Sequence, residues 1–326
     1  MPNMCLWRNI LAVLLASVLV VGAGACGGSG SGGSGGSQGD LKVGALIAGT
    51  NVPYLATYAR VMREEAEKAG AELIVLDANF EPDRQNQQMD DLISQQPDSI
   101  IVNAVDAGAI VPALQRANQQ GIPLVASNNG VDESAKDLVE GYTGPDDYHE
   151  GALAAELMAD ALNNKGKVVM IEGAPGTTPQ INRGQGFKDR LAEVAPDIEL
   201  LDSQTAEWDR QKARQVASDF ITRYGGDLDG IFGQDDTMAV GAADAVADAS
   251  RQDDIEVVGL GGSETGLTAV KEGEIYGTML QSPVQDAELA VEAALKIARG
   301  EDIPETNYLK VPKITKENVG QFEPEW

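Results

Sequence analysis

The chain is poor in the residues from which redox, metal and nucleophilic sites are built. Its 326 residues include two cysteines, Cys5 and Cys26, and one histidine, His149. Cys5 falls in an N-terminal segment that reads as a removable leader. The folded part therefore has no disulfide available and must draw its stability from buried apolar surface. One histidine and no free thiol leave little from which to make a zinc site or a nucleophilic triad. His149 stands at an expected helix start and reads as structural or exposed. A G-x-S-x-G match occurs only in a Gly/Ser stretch near the N-terminus, and a G-x-x-x-x-G-K-[ST] phosphate loop occurs nowhere. A serine hydrolase elbow and an ATP-binding motor are both disfavoured on that ground. Positive charge is also scarce: 24 Lys and Arg stand against 51 Asp and Glu, for a formal net charge of −27. Such an acidic surface argues against nucleic acid and against charge-driven adhesion to anionic lipid headgroups. It says little about a small ligand.

The N-terminus carries an address. Arg8 is the only charge in the first 25 residues, and Ile10 to Val21 is apolar apart from Ser17. About twelve residues suit a signal-peptide core and are too few to span a bilayer. Gly22, Ala23, Gly24 and Ala25 follow, then Cys26. This order resembles a lipobox, whose cysteine becomes the acylated first residue of a mature lipoprotein; Ala23 departs from the usual leucine. Residues 27–39, GGSGSGGSGGSQG, bury nothing and read as a flexible leash. The expectation is a signal peptide over 1–25, a lipid-anchored linker over 26–39 and a folded body beyond. Localisation is then extracytoplasmic, with the lipid on Cys26 at the cell membrane.

Beyond the leash, short apolar runs alternate with amphipathic stretches. Strands are expected at Leu41–Ala48, Ala71–Leu76, Ser99–Val102 and Ile122–Ala126, with helices at Tyr54–Ala69, Asp83–Gln96 and Ala109–Gln120 between them. The rhythm restarts with helix Gly151–Asn163, strand Lys167–Ile171, helix Gly184–Val194, strand Ile198–Leu201 and helix Arg210–Tyr224. It continues through strand Gly230–Phe232, helix Thr237–Ala249 and strands Ile255–Leu260 and Ile275–Leu280, to helix Val284–Ala298. Fully apolar strands separated by helices predict parallel sheets covered on both faces, and two sets predict two doubly wound α/β lobes.

In such sheets ligands sit outside the carboxyl ends of the strands. Those positions hold Asn51 and Tyr54, Asn103, Asn128 and Asn129 in the first set. The second set has Arg183, Trp208, Asp235 beside Asp236, and Gln281. Amides, carboxylates and a guanidinium both donate to and accept from hydroxyls, and aromatic rings lie against C–H faces. This inventory predicts a pocket for a small neutral sugar or polyol. Each residue also has a plainer role available: Trp208 as a core aromatic, Asp235 as a helix cap, Arg183 as a surface ion-pair partner. The acidic pairs Asp132-Glu133 and Asp146-Asp147 read as solvated turns.

At these residues the chain resembles the type I periplasmic sugar-binding proteins, the ribose-binding type above all. The similarity runs from Lys42 to about Lys313. It is carried by TNVPYLATYARVMREEAEKAGAELIVLD (50–77), QQPDSIIVNAVDAGAIVPALQRANQQGIPLV (95–125), GTTPQINRGQGF (176–187), AEWDRQKARQV (206–216), FGQDDTMAVGAADAV (232–246), VVGLGG (257–262) and MLQSPVQDAELAVEAALKIARGE (279–301). The resemblance implies a three-segment hinge crossing near Tyr142–Pro145, Gln281–Pro283 and Val311–Pro312. The lobes are then 40–142 plus 283–311 and 143–282 plus 312–326. It further implies stacking by Tyr54, a grip on ligand oxygens by Arg183 and Gln281, capture by hinge closure, and delivery to an ABC permease by a monomer that needs no cofactor. Two departures stand out: Asn128-Asn129 where the ribose type has Asp-Arg, and Gly261 where it has Asp. With those charged groups gone, ribose is not expected to be preferred. The rival expectations are a ligand-presenting sensor for a chemoreceptor or sensor kinase, and a secreted carbohydrate-active enzyme using Asp235 and Asp236.

Overall fold

In the computed structural model, residues 41–326 are described; the leader, Cys26 and the Gly/Ser leash lie outside them. The first half runs β1 (Lys42–Ile47), α1 (Pro53–Lys68), β2 (Glu72–Asp77), α2 (Pro82–Ser94), β3 (Ser99–Val102), α3 (Val111–Gln119), β4 (Leu124–Ser127) and β5 (Tyr142–Gly144). The second runs α4 (Asp147–Ala161), β6 (Lys165–Glu172), α5 (Thr178–Val194), β7 (Asp197–Thr205), α6 (Arg210–Tyr224), β8 (Gly230–Gly233), α7 (Asp236–Asp248), β9 (Glu256–Val258), α8 (Glu264–Glu272) and β10 (Gly277–Met279). The chain closes with α9 (Pro283–Ala298), β11 (Thr306–Tyr308) and β12 (Lys313–Thr315).

These strands make two six-stranded sheets, ordered β2-β1-β3-β4-β5-β11 and β7-β6-β8-β9-β10-β12. All pairings are parallel except β12, which runs antiparallel to β10 at its edge. Successive side chains of a strand point to opposite faces, and both faces are apolar here. Val43, Ala45 and Ile47 of β1 join α1 and α9 in one core, while Leu46 joins α2 and α3 in another. Val169 and Ile171 of β6 pack on α6 and α7, and Val168 and Met170 on α4 and α5. Each fully buried side chain of this size contributes about 1.5–3 kcal/mol. The sheets and their helices make two doubly wound α/β lobes, as the alternation along the chain predicts. The chain leaves the first sheet after β5, returns after β10, and crosses again between β11 and β12. Helix α9 packs on α1, β3, β4 and β5, so it belongs with the first sheet.

Several elements differ from the pattern read along the chain. Helix α5 starts at Thr178, six residues before the expected Gly184, because Thr177 caps it by accepting from the Gln180 N–H and Pro179 lies in its first turn. The polar residues Gln180, Asn182 and Arg183 hide that turn from a search for apolar periodicity. Helix α4 likewise starts at Asp147, where Asp146 caps it through the His149 N–H. Helix α8 is absent from the pattern read along the chain, although Ser263 caps it and Gly273 closes it in a left-handed conformation (φ 85°). The strands β5, β11 and β12 are three residues each, too short for any period to register.

Candidate functional site

Segments beyond the carboxyl ends of β1, β2 and β4 in the first sheet and of β6, β7, β8, β9 and β10 in the second meet at one slot, and the strand order reverses beside β1 and beside β6. The slot there is lined by Tyr54, Phe80, Asn128, Asn129, Arg183, Trp208, Asp235, Gln281 and Trp326, with Val52, Leu55, Pro179, Leu260 and Gly261 between them. Of the residues named from sequence, Tyr54, Asn128, Asn129, Arg183, Trp208, Asp235 and Gln281 are thus brought to one cavity. Two are not. Asn51 is exposed and lines a neighbouring recess with Glu207, Asp209 and Lys212. Asn103 is wholly buried beneath the floor.

Arg183 is the hub. It projects from the second turn of α5 and is 4% exposed, so the surface ion-pair role does not describe it. Its Nε donates to Glu150 Oε2 (3.0 Å), Nη1 to the Gln234 carbonyl (2.9 Å) and Nη2 to Gln281 Oε1 (2.8 Å). Asp147 Oδ1 lies 3.2 Å from Nη2. Asp147 is therefore no solvated turn residue; α4 turns it inward beside Glu150, and only Asp146 of that pair stays at the surface side as the cap. Burial pushes the carboxyls of Glu150 and Asp147 upward, against the pull of the Arg183 charge.

Asp235 is both cap and wall. Its side chain accepts from the Met238 N–H (2.7 Å) at the start of α7 while remaining in the slot lining. Burial raises its carboxyl to about 7, partly offset by the Met238 bond. Asp236 turns away: its carboxylate accepts from the Thr278 hydroxyl (2.6 Å) and the Ser263 N–H (2.8 Å). The adjacent carboxylates therefore do not flank one substrate atom, which acid–base glycoside cleavage requires.

Across the slot, Tyr54 Oη (2.9 Å) and Asn128 Nδ2 (2.8 Å) both donate to Asp286 Oδ2 at the start of α9. Asn103 accepts from the Ala48 N–H (2.8 Å) and donates to Asn128 Oδ1 (3.3 Å), so it orients a lining residue from below. Asn129 donates to the Ala104 carbonyl (2.7 Å). Burial raises Asp286 to about 7, against the lowering effect of its bonds from Tyr54 and Asn128.

Backbone strain collects at this cavity. Phe80 (φ 57°) and Trp208 (φ 64°) hold left-handed conformations, which bulky residues adopt only where surrounding structure imposes them; Asn128 (φ 60°) shares the conformation, which asparagine takes more readily. Trp208 lies flat on Gly173, where a Cβ would come within 1.9 Å of the indole. Its ring faces the Arg183 guanidinium at 5.9 Å, within reach of a cation–π contact. Phe80, Asp286, Glu150 and Trp326 were missed from sequence. Phe80 follows the carboxyl end of β2 and was open to the same positional rule; the others carry no such signal.

The geometry suits a neutral, hydroxyl-rich molecule. The donors of Arg183 are largely committed to Glu150, Gln281 and Gln234, and the surrounding carboxyls oppose an anion. Amides, the Asp235 oxygen and the aromatic walls serve hydroxyls and C–H faces.

Comparison with known proteins agrees. A family described as periplasmic binding protein domain matches residues 43–302. The xylitol-binding protein of Mycolicibacterium smegmatis is 37% identical over 254 residues, 78% of this chain and 71% of its own. The ribose import binding protein of Bacillus subtilis is 30% identical over 268 residues, 82% of this chain and 85% of its own. Among solved structures, an ABC transporter solute-binding protein from Bacillus halodurans with bound myo-inositol superposes with a TM-score of 0.83 at 29% identity, covering 89% of this chain and 100% of that one. One from Mycobacterium smegmatis with bound glycerol gives 0.81 at 29%, covering 87% and 96%.

Proposed function

We propose, from the premise that this chain belongs to the type I periplasmic sugar-binding proteins of ABC importers, that it captures one small neutral sugar or polyol between its lobes and presents it to a membrane permease. The observation that carries this reading is the convergence of Arg183, Asp235, Asn128, Asn129, Gln281, Tyr54 and Trp208 on a single slot between two sheets. Tyr54, Asn128 and Asn129 come from the first sheet's side, and Arg183, Trp208 and Asp235 from the second's. A ligand touching both sets favours the closed arrangement, so binding and hinge closure are one equilibrium. The proposed lobes are 40–142 with 283–311, and 143–282 with 312–326, and the protein works as a monomer. Cys26 is proposed as the lipid-bearing residue that tethers it at the cell exterior, with the Gly/Ser leash giving the body room to reach the permease.

Ribose is not the preferred ligand on this reading. Neutral amides at Asn128 and Asn129 and a glycine at 261 supply fewer charge-assisted hydrogen bonds than carboxylates and guanidinium would. A thermal-shift screen against glycerol, xylitol, ribose and myo-inositol tests the assignment. A ligand at a hundred times its Kd adds about 2.7 kcal/mol of stability, so at least one polyol is expected to raise Tm by several degrees. No shift with any of the four, or submicromolar ribose binding, contradicts it.

A further inference from the structure

Trp326 reaches the slot from the C-terminal tail and touches both halves of the molecule. Its indole Nε1 donates to the Gly261 carbonyl (3.3 Å), and its own carbonyl accepts from the Glu264 N–H (2.8 Å) at the start of α8. Both partners belong to the second sheet's side. The indole and the Tyr54 ring meet edge to face, centroids 5.6 Å apart at 84°, and the indole packs against the apolar cluster of the first sheet. One residue back, the Glu325 carboxylate accepts from the Ser282 hydroxyl (2.5 Å), which pins the tail to the crossing between β10 and α9.

The place it fills exists because residue 261 has no side chain. A Cβ at Gly261 would come within 2.6 Å of the indole Cζ2, and the backbone there (φ 138°) suits glycine. Trp326 and a side chain at 261 therefore exclude one another. Trp208 on Gly173 is the same construction on another wall of the slot. Edge-to-face aromatic pairs contribute beyond the area they bury, so the Tyr54 contact couples the tail to the first lobe only when the lobes are together.

We infer that Trp326 is a specificity-determining wall of the ligand slot and a latch between the lobes, setting how bulky a polyol the closed form accepts. The inference rests on the sugar or polyol reading above. The indole occupies volume that a larger ring would need and offers a flat apolar face to the carbon skeleton of a smaller one.

The test compares the full chain with its W326A and W326F variants by calorimetric titration of glycerol, xylitol, ribose and myo-inositol. For W326A, affinity for the preferred ligand of the unaltered chain falls tenfold or more, and the order of preference shifts toward the bulkier myo-inositol. W326F keeps an aromatic wall and the Tyr54 contact but loses the bond to Gly261, so its affinities fall by only a few-fold with the order kept. Affinities within twofold of the unaltered chain, or an equal loss for every ligand of W326A with the order unchanged, overturn the inference while leaving the polyol reading intact. An unaltered chain that binds none of the four overturns the polyol reading, and the inference with it.

Discussion

Arg183 holds together charges that have no other reason to be buried. Glu150 and Asp147 are both nearly inaccessible and share its guanidinium. Removing one partner of a buried ionic cluster costs about 3–5 kcal/mol, because the remaining charges stay desolvated without a counter-ion. Arg183→Ala is therefore expected to lower the urea midpoint markedly at pH 8, and less at pH 5, where the raised carboxyls can take up protons instead. An unchanged midpoint at pH 8 would refute the hub role. At this scale the sequence was readable wherever one rule applied. Polar and aromatic residues just past strand ends point to Asp235, Trp208 and Gln281, and Arg183 follows beyond the loop after β6, because the chain must place functional groups at the open end of a parallel sheet. Asn103 obeys the rule yet lies one layer too deep, where its bonds to Ala48 and Asn128 serve the floor. Asp286 and Trp326 obey no local rule; a helix acid and a tail aromatic become site residues only when distant segments meet.

At the scale of elements, α7 shows how one side chain serves fold and slot together. Asp235 caps the helix while its carboxyl faces the cavity. Asparagine caps nearly as well as aspartate, whereas alanine costs about 1 kcal/mol. Asp235→Asn should therefore leave unfolding stability almost unchanged at pH 5, where the buried carboxyl holds its proton, but weaken polyol binding at pH 8 by removing the ionised acceptor. Asp235→Ala should lower both. Equal stability losses for the two variants would show that the cap does not matter, and unchanged binding in Asp235→Asn would remove the carboxyl from the ligand's neighbourhood. The β/α alternation is legible because the inner strands are apolar on both faces, as Val43 to Ile47 and Val168 to Ile171 illustrate. What was lost were helix starts built from caps and polar first turns, in α4 and α5, and strands of three residues that hold position through neighbours.

For the whole molecule, four buried carboxyls gather around the slot with one guanidinium. Burial raises Asp235 and Asp286 to about 7, and pushes Glu150 and Asp147 up as well. Between the unfolded carboxyl range near 4 and these values, the folded chain retains protons that the unfolded chain has released. Stability accordingly falls as pH rises through that window and levels off above it. Tm measured without ligand should decline from pH 5 to pH 8. The net charge of −27 adds self-repulsion in the same direction, so Asp286→Asn separates the two. It retains an acceptor for Tyr54 and Asn128 and should flatten the decline; a Tm that rises over this window, or a slope unaffected by the substitution, would contradict the assignment.

The central claim is that one slot between two lobes holds a small neutral polyol against aromatic walls. The most direct measurement is calorimetric titration of glycerol, xylitol, ribose and myo-inositol into the full chain and into Trp208→Ala. The account predicts one-to-one binding of glycerol, xylitol or myo-inositol at micromolar Kd or tighter, stronger than that of ribose and weakened at least tenfold in Trp208→Ala. Absence of binding by all four, or binding that survives the loss of the indole undiminished, would place the ligand elsewhere and contradict it.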